Sequence, residues 1–131
     1  MDCDFNQIKD SYIATLKKWN QFDGRSTVRE FWTFTFCNIA ISIAISVIGA
    51  ITCIGAFLGP LVGLFMLATS VAVGVRRLHD TNRSGMLYLL VFTCIGIIPL
   101  IYWATLDGTA GDNQYGPDPK AAAPVDTPPA A

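Results

Sequence analysis

Residues 31–75 read FWTFTFCNIAISIAISVIGAITCIGAFLGPLVGLFMLATSVAVGV, and none of these 45 positions is Asp, Glu, Lys, Arg or His. A second uncharged stretch, residues 84–106, reads SGMLYLLVFTCIGIIPLIYWATL. A membrane-spanning helix needs about 20 apolar residues. Only 15% of the whole chain is charged, against roughly 25% in soluble domains. The composition excludes a soluble enzyme, a disulfide-stapled secreted domain and a free nucleic-acid binder. It predicts a small, all-α integral membrane protein.

The first uncharged stretch is too long for one span, because 45 helical residues would extend about 67 Å. Gly55, Gly59 and Pro60 are typical of a break between two helices. We therefore expect spans near 30–52 and 57–76, and a third near 86–106 that is kinked at Pro99. The sequence leaves an alternative open, in which the third segment is re-entrant and broken at Gly96 and Pro99. We favour three full transmembrane helices.

The N-terminal residues 4–20 have the apolar periodicity of an amphipathic helix. Its apolar side chains recur three or four positions apart, at Phe5, Ile8, Tyr12, Leu16 and Trp19. Such a helix suits the membrane interface, and packing on another part of the protein or on a partner fits the pattern equally well. The predicted organisation is an interfacial helix at 1–22, a membrane domain at 23–115 and a disordered tail at 116–131, where Pro and Ala dominate.

The basic residues predict the orientation, because they favour the cytoplasmic side of a membrane. Residues 1–84 carry eight basic and six acidic side chains, whereas residues 85–131 carry one basic and four acidic. With three spans, the N-terminus and the loop at 76–85 lie in the cytoplasm and the C-terminus lies outside it. We therefore expect a multi-pass membrane protein.

Two polar constellations flank the uncharged stretches, at residues 22–32 and at residues 76–85. The second contains three arginines, the one histidine of the chain and an aspartate, and we predict that it binds an anionic lipid headgroup. The candidate ligands are Arg76, Arg77, His79, Asp80 and Arg83. Arginine's planar fork suits phosphate oxygens. Arg25, Arg29 and Glu30 of the first constellation are candidates for structural ion pairs. Glu30 or Asp80 is expected to pair with an arginine of the other constellation.

The sequence offers little that could support catalysis. It contains no P-loop, no Rossmann fingerprint, no G-x-S-x-G and no metal-ligand spacing. Neither uncharged stretch carries the ionisable side chains that ion and proton pathways use. We therefore predict a non-enzymatic protein without cofactor, metal or nucleic-acid partner.

Three motifs in order resemble the DUF805 family of small bacterial inner-membrane proteins. They are Phe22-x-Gly24-Arg25 with Arg29-Glu30-Phe31-Trp32, then Arg76-Arg77-Leu78-His79-Asp80-Thr81-x-Arg83-Ser84-Gly85, then Gly108 through Asn113-x-Tyr115-Gly116-Pro117-Asp118-Pro119. The resemblance covers roughly residues 10–120. It implies a multi-span membrane protein, and it carries over no catalytic residues because the family's function is unassigned.

Three interpretations of the protein's role follow. In the first, the loop at 76–85 is a topological and structural turn. In the second, this loop binds the headgroup of an anionic phospholipid. In the third interpretation, the protein is an accessory subunit or scaffold that binds other membrane proteins or a second copy of itself through its helices. Small residues recur every four positions, at Ser42, Ser46 and Ala50 and at Gly59 and Gly63, and such ridges let membrane helices approach closely. In every case the lipid bilayer is the surrounding partner.

Overall fold

The computed structural model describes residues 4–121. Four α-helices and one 3-10 helix follow one another along the chain. They are α1 (Phe5–Lys17), α2 (Val28–Ile51), α3 (Cys53–Asp80), the 3-10 helix (Gly85–Phe92) and α4 (Ile97–Thr105). No strand occurs within the described residues. The all-α class is confirmed.

The helices α2 and α3 form an antiparallel hairpin and are the two elements long and apolar enough to cross a membrane. Their 24 and 28 residues correspond to about 36 and 42 Å at 1.5 Å per residue, more than the roughly 30 Å of a bilayer's hydrocarbon core. Thr27 caps α2 by accepting a hydrogen bond from the backbone N–H of Glu30 at 3.1 Å.

The turn between α2 and α3 lies earlier than the predicted break at Gly55–Pro60. The single residue Thr52 has an extended conformation, and α3 begins at Cys53 with Pro60 inside it. Gly49 and Gly55 lie against each other across the turn, where a side chain on Gly55 would overlap the backbone of Gly49. Gly55 therefore allows α2 and α3 to approach each other closely and does not interrupt the helix.

The predicted third span is not one helix, and three full spans are not confirmed. The 3-10 helix covers about 16 Å and α4 about 14 Å, so neither crosses a bilayer. Between them the chain turns at residues 93–96, where the Thr93 hydroxyl accepts from the Gly96 N–H at 3.1 Å. Pro99 lies in the first turn of α4 rather than at a kink, because the first turn has no need of its missing N–H.

The segment 85–105 begins and ends at the same end of the hairpin. It follows Asp80 along the chain, and beyond it the Thr109 N–H donates to the Asp80 carbonyl at 2.8 Å. We call residues 24–26, 76–80 and 104–111, which meet here, the polar end. Because the chain returns to its starting level, this geometry matches a re-entrant segment.

The helix α1 packs on the hairpin, as one of the two interpretations of the N-terminal pattern predicts. The Tyr12 ring stacks on Phe34 with centroids 5.3 Å apart, and Trp19 lies 6.0 Å from Phe65. Asp4 caps α1 by accepting from the Asn6 N–H.

The predicted disordered tail at 116–131 falls only partly within the described residues. Residues 116–121 adopt turns, in which the Asp118 carboxylate accepts from the backbone N–H groups of Gly111 and Lys120 at 3.1 and 2.9 Å. The remaining residues, 122–131, lie outside the described part of the chain.

Candidate functional site: the polar end of the hairpin

Asp80 lies between two arginines at the C-terminal end of α3. One carboxylate oxygen accepts from Nε of Arg25 at 3.0 Å and lies 2.9 Å from its Nη2. The other accepts from Nη1 of Arg77, one turn earlier on α3. All three side chains are at most 2% exposed. The three groups form a buried cluster with a net charge of +1.

Arg25 also binds the segment that follows α4. Its Nη1 donates to the Gly111 carbonyl at 2.7 Å, and its Nη2 donates to the Thr109 carbonyl at 2.5 Å. Gly24, directly before it, has a φ of +94°, a conformation that glycine adopts without the cost a side chain would impose. This turn directs Arg25 between the end of α3 and the returning chain.

Arg77 ties α4 to the start of α2. Nε donates to the Ala104 carbonyl at 3.3 Å, Nη2 donates to the Leu106 carbonyl, and Nη1 donates to the Ser26 carbonyl at 3.2 Å as well as to Asp80. The guanidinium is thus satisfied by carbonyls that the helix ends leave free. Four of its five N–H donors thus have protein acceptors, and the side chain is only 2% exposed, so an outside anion has little access to it.

Arg76 holds the connection between α1 and α2. Its Nη1 donates to the carbonyls of Lys18 and Gln21 at 2.9 and 2.6 Å, and its Nε donates to the Ser26 hydroxyl at 3.2 Å. The side chain is 3% exposed. Its Nη2 has no hydrogen-bond partner among residues 4–121.

Gly108 permits the closest approach in the polar end. A Cβ atom at this position would overlap the Asp80 carboxylate. The absence of a side chain lets residues 107–109 run across the end of α3, where the Thr109 amide reaches the Asp80 carbonyl. A glycine is therefore required here by packing.

His79 and Arg83 face outward from the cluster. The His79 ring stacks on Tyr115 at 4.0 Å, and its Nδ1 lies 3.1 Å from the Gly24 carbonyl. The Arg83 guanidinium lies 5.0 Å from the centre of the Trp103 ring, a distance at which a cation is attracted to the ring face. Neither side chain converges with Arg76 or Arg77 on one point.

A small polar cleft lies on the other side of α2, against α1. It has a volume of about 250 Å³ and is lined by Ser11, Ala14, Lys18, Thr27, Arg29 and Glu30. We call it the α1–α2 cleft. The positive end of the α2 dipole lies here. Arg29 is exposed, and within residues 4–121 its side chain makes one hydrogen bond, to the Gln7 amide oxygen at 3.5 Å.

The family model described as "Protein of unknown function (DUF805)" matches residues 19–117. The chain belongs to the DUF805 family. The DUF805 match contains every residue of the polar end and begins after α1. The resemblance inferred from the three motifs is therefore confirmed.

Two Escherichia coli K12 proteins are similar to this DUF805 chain. "Inner membrane protein YhaI" is 42% identical over 113 residues, which cover 83% of this chain and 94% of YhaI. "Inner membrane protein YhaH" is 33% identical over 121 residues, covering 85% and 97%. No solved structure matches the chain significantly. The relatives' names place them in the inner membrane and give no activity.

The structure separates the residues that the sequence grouped as one headgroup site. Arg76, Arg77 and Asp80 are buried among protein partners, while His79 and Arg83 lie on two different aromatic contacts. The ion pair expected between the two constellations is present as Arg25–Asp80. Arg29 and Glu30 form no ion pair within residues 4–121. Glu30 instead accepts from the Thr15 hydroxyl at 3.3 Å.

Sequence reasoning did not identify the contribution of the third motif. Thr109 and Gly111 bind Arg25, and the Asn113 amide donates to the His79 carbonyl at 2.9 Å. The signal was the motif itself, since three motifs of one family often meet in space. The predicted three-span topology places this motif on the opposite side of the membrane from the other two.

Proposed function

We propose that this chain is a non-enzymatic protein of a bacterial inner membrane that binds an anionic lipid headgroup in the α1–α2 cleft. The observation that carries the proposal is the pair Lys18 and Arg29, which lie at this cleft without an ion-pair partner among residues 4–121. The predicted loop arginines, by contrast, already donate to protein carbonyls.

The chemistry of the cleft suits a phosphate group. Arginine binds phosphate oxygens through its fork, lysine adds a second charge, and the Ser11 and Thr27 hydroxyls are within the lining. A helix N-terminus favours anions. Glu30 contributes a negative charge to the lining of the cleft. The buried guanidinium of Arg76, which donates to the Ser26 hydroxyl, lies behind Glu30.

The same proposal includes a topology with both termini in the cytoplasm. The N-terminal side carries the basic residues that are retained there, and the return of residues 106–111 to Asp80 brings the C-terminal side to the same level. The acidic residues after 106 do not oppose this, since Asp and Glu contribute little to orientation. This is the re-entrant alternative that the sequence left open, and it differs from the favoured three-span arrangement in the side on which the C-terminus lies.

Reporter fusions at the C-terminus test the topology. A fluorescent protein that matures only in the cytoplasm is expected to be bright, and an alkaline phosphatase that folds only outside it is expected to be inactive. The same two reporters inserted at Thr52, in the α2–α3 turn, should give the reverse pattern. An active phosphatase at the C-terminus would restore the three-span arrangement.

Native mass spectrometry from bilayers of mixed phosphatidylglycerol and phosphatidylcholine tests the cleft. The Lys18→Gln, Arg29→Gln variant should lose the preference for phosphatidylglycerol. About 1 kcal/mol for each basic residue near an anionic surface corresponds to roughly a 30-fold loss for two residues. The matched control is Lys9→Gln, Lys17→Gln, which removes the same number of positive charges from α1, outside the cleft.

An Arg83→Gln variant distinguishes headgroup binding in the α1–α2 cleft from binding at the loop 76–85, which the sequence predicts. If this change abolishes the preference and the cleft variant retains it, the headgroup binds beside α4 instead. An equal loss in the cleft variant and its control would show a diffuse charge effect without a site. The accessory-subunit interpretation stays a prediction, because no contact among the described residues favours it.

A further inference from the structure

An apolar cavity lies on the face of α2 opposite the α1–α2 cleft. It has a volume of about 240 Å³, is partly open, and is enclosed by α2, α3, the 3-10 helix and α4. Its lining includes Phe31, Trp32, Tyr88, Val91, Leu100 and Ile101. The polar end closes it on one side, where Arg77 and Ala104 contribute to the wall.

The polar side chains around this cavity are mostly satisfied by the protein. Trp32 Nε1 donates to the Ala104 carbonyl at 3.2 Å, the Thr35 hydroxyl donates to the Phe31 carbonyl at 2.8 Å, and Arg77 binds the carbonyls described above. A polar or charged occupant would lose its hydration without gaining partners, at a cost of about 1–3 kcal/mol for each unsatisfied group. The cavity therefore selects an apolar occupant.

The size of the cavity limits that occupant further. One turn of a helix, about 5 Å long and 10 Å across, occupies roughly 400 Å³, so a helix of a second copy or of another protein does not fit. The cavity is also below the roughly 300–1,000 Å³ of drug-sized ligand sites. An extended hydrocarbon chain fits, and the bilayer supplies such chains beside residues 31–35.

We propose that this cavity holds part of one acyl chain from a cytoplasmic-leaflet lipid. The acyl chain enters beside the polar end and lies between α2 and α4. The segment 85–105 then packs on lipid as well as on α3. Tyr88 lines the cavity, and its ring lies against Gly74 of α3.

Nuclear Overhauser effects between methyl groups and lipid test the proposal. The full chain, deuterated except at Ile, Leu and Val methyls, is placed in nanodiscs of protonated phosphatidylcholine, whose headgroup has no net charge. Methyls of Val91 and Leu100 are expected to show contacts with lipid methylene protons. Val73, which is 1% exposed, is the negative control and Ile98, which is 70% exposed, is the positive control.

Filling the cavity distinguishes an occupant from contact at the outer surface. The Thr35→Phe variant should abolish the lipid contacts of Val91 and Leu100 and leave those of Ile98. The Val91→Phe variant is a second filling from the opposite wall, with Leu100 as its reporter, and serves if the first does not fold. Contacts that persist in the filled variants, or that arise from water instead of lipid in the unmodified protein, would overturn the proposal.

Discussion

At the polar end of the hairpin, Arg77 and Asp80 are 2% and 1% exposed, whereas Ile51 and Phe57 at the α2–α3 turn are 78% and 80% exposed. The two regions differ in how their side chains are solvated. Lipid solvates isoleucine and phenylalanine, so the turn needs little packing and helix contact there depends on small residues such as Gly49 and Gly55. The guanidinium and carboxylate groups of the polar end are buried, so protein partners must satisfy them.

The difference in burial between the polar end and the α2–α3 turn indicates which contacts contribute most to the stability of the chain. The polar end joins three segments far apart in sequence, through Arg25, Arg77 and Asp80. Removing one partner of a buried ion pair leaves the other charge uncompensated, which costs far more than loss of an exposed pair. Substitutions of the buried charged side chains of the polar end should therefore be much more damaging than equivalent substitutions of exposed ones.

The largest effect is expected from Asp80→Ala, which leaves two buried arginines without their carboxylate. The free energy of unfolding should fall by about 3–5 kcal/mol, measured by reversible unfolding in detergent micelles. The matched control is Asp107→Ala, which breaks the exposed pair with Lys120, whose side chain is 55% exposed. That loss should stay within about 1 kcal/mol. Equal losses would remove the distinction between the two kinds of ion pair.

A smaller effect is expected from Gly108→Ala, because the added methyl overlaps the Asp80 carboxylate. Overpacking of this kind costs about 1–3 kcal/mol, and the same unfolding measurement detects it. Gly63→Ala in α3 is the control, since no atom lies within 4 Å of the added Cβ. Alanine there should be neutral or stabilise the helix by up to about 1 kcal/mol. A harmless Gly108→Ala would show that residues 107–109 pack less closely on α3.

The smallest effect concerns the exposed turn at 111–120. Backbone N–H groups of Lys120 and Gly111 hold the pKa of the Asp118 carboxyl below its ordinary value. Because the folded-state pKa is depressed, the turn gains stability above the ordinary pKa of about 3.9 and loses it as the pH falls through the folded value.

Carbon-detected titration of Asp118 should therefore give a midpoint below that ordinary value, with the Gly111 and Lys120 amides shifting together with it. Asp118→Asn should leave those amides insensitive to pH over the same range. A midpoint at or above the ordinary value would mean that the carboxylate does not hold the turn.

The span boundaries show how far the sequence reaches. The predicted span 30–52 corresponds closely to α2 at Val28–Ile51, and its start is marked by the Thr27 cap and by the loss of charge after Glu30. The second span, predicted at 57–76, extends to Cys53–Asp80. Gly55, Gly59 and Pro60 are typical of a break in the sequence, whereas in the structure all three lie inside α3, and of the two glycines Gly55 is the one in close contact with α2, at Gly49.

The candidate site shows the limit more sharply. Arg77 and Arg83 are six positions apart, and local sequence gives no sign that one is buried while the other lies over Trp103. Burial depends on whether the chain returns beneath Arg77 after residue 105. The path of residues 85–105 therefore also determines which of the predicted headgroup ligands are buried.

The sequence by itself determined that this chain is helical and belongs in a membrane, because two long uncharged stretches can satisfy their backbone in lipid only as helices. Three sequence motifs likewise indicated membership of the DUF805 family. Which charged side chains of these motifs contact one another became known only from the tertiary structure. Arg25 and Asp80 are 55 positions apart, and their contact with residues 109–111 depends on where the segment 85–105 turns back, which no local pattern of residues encodes.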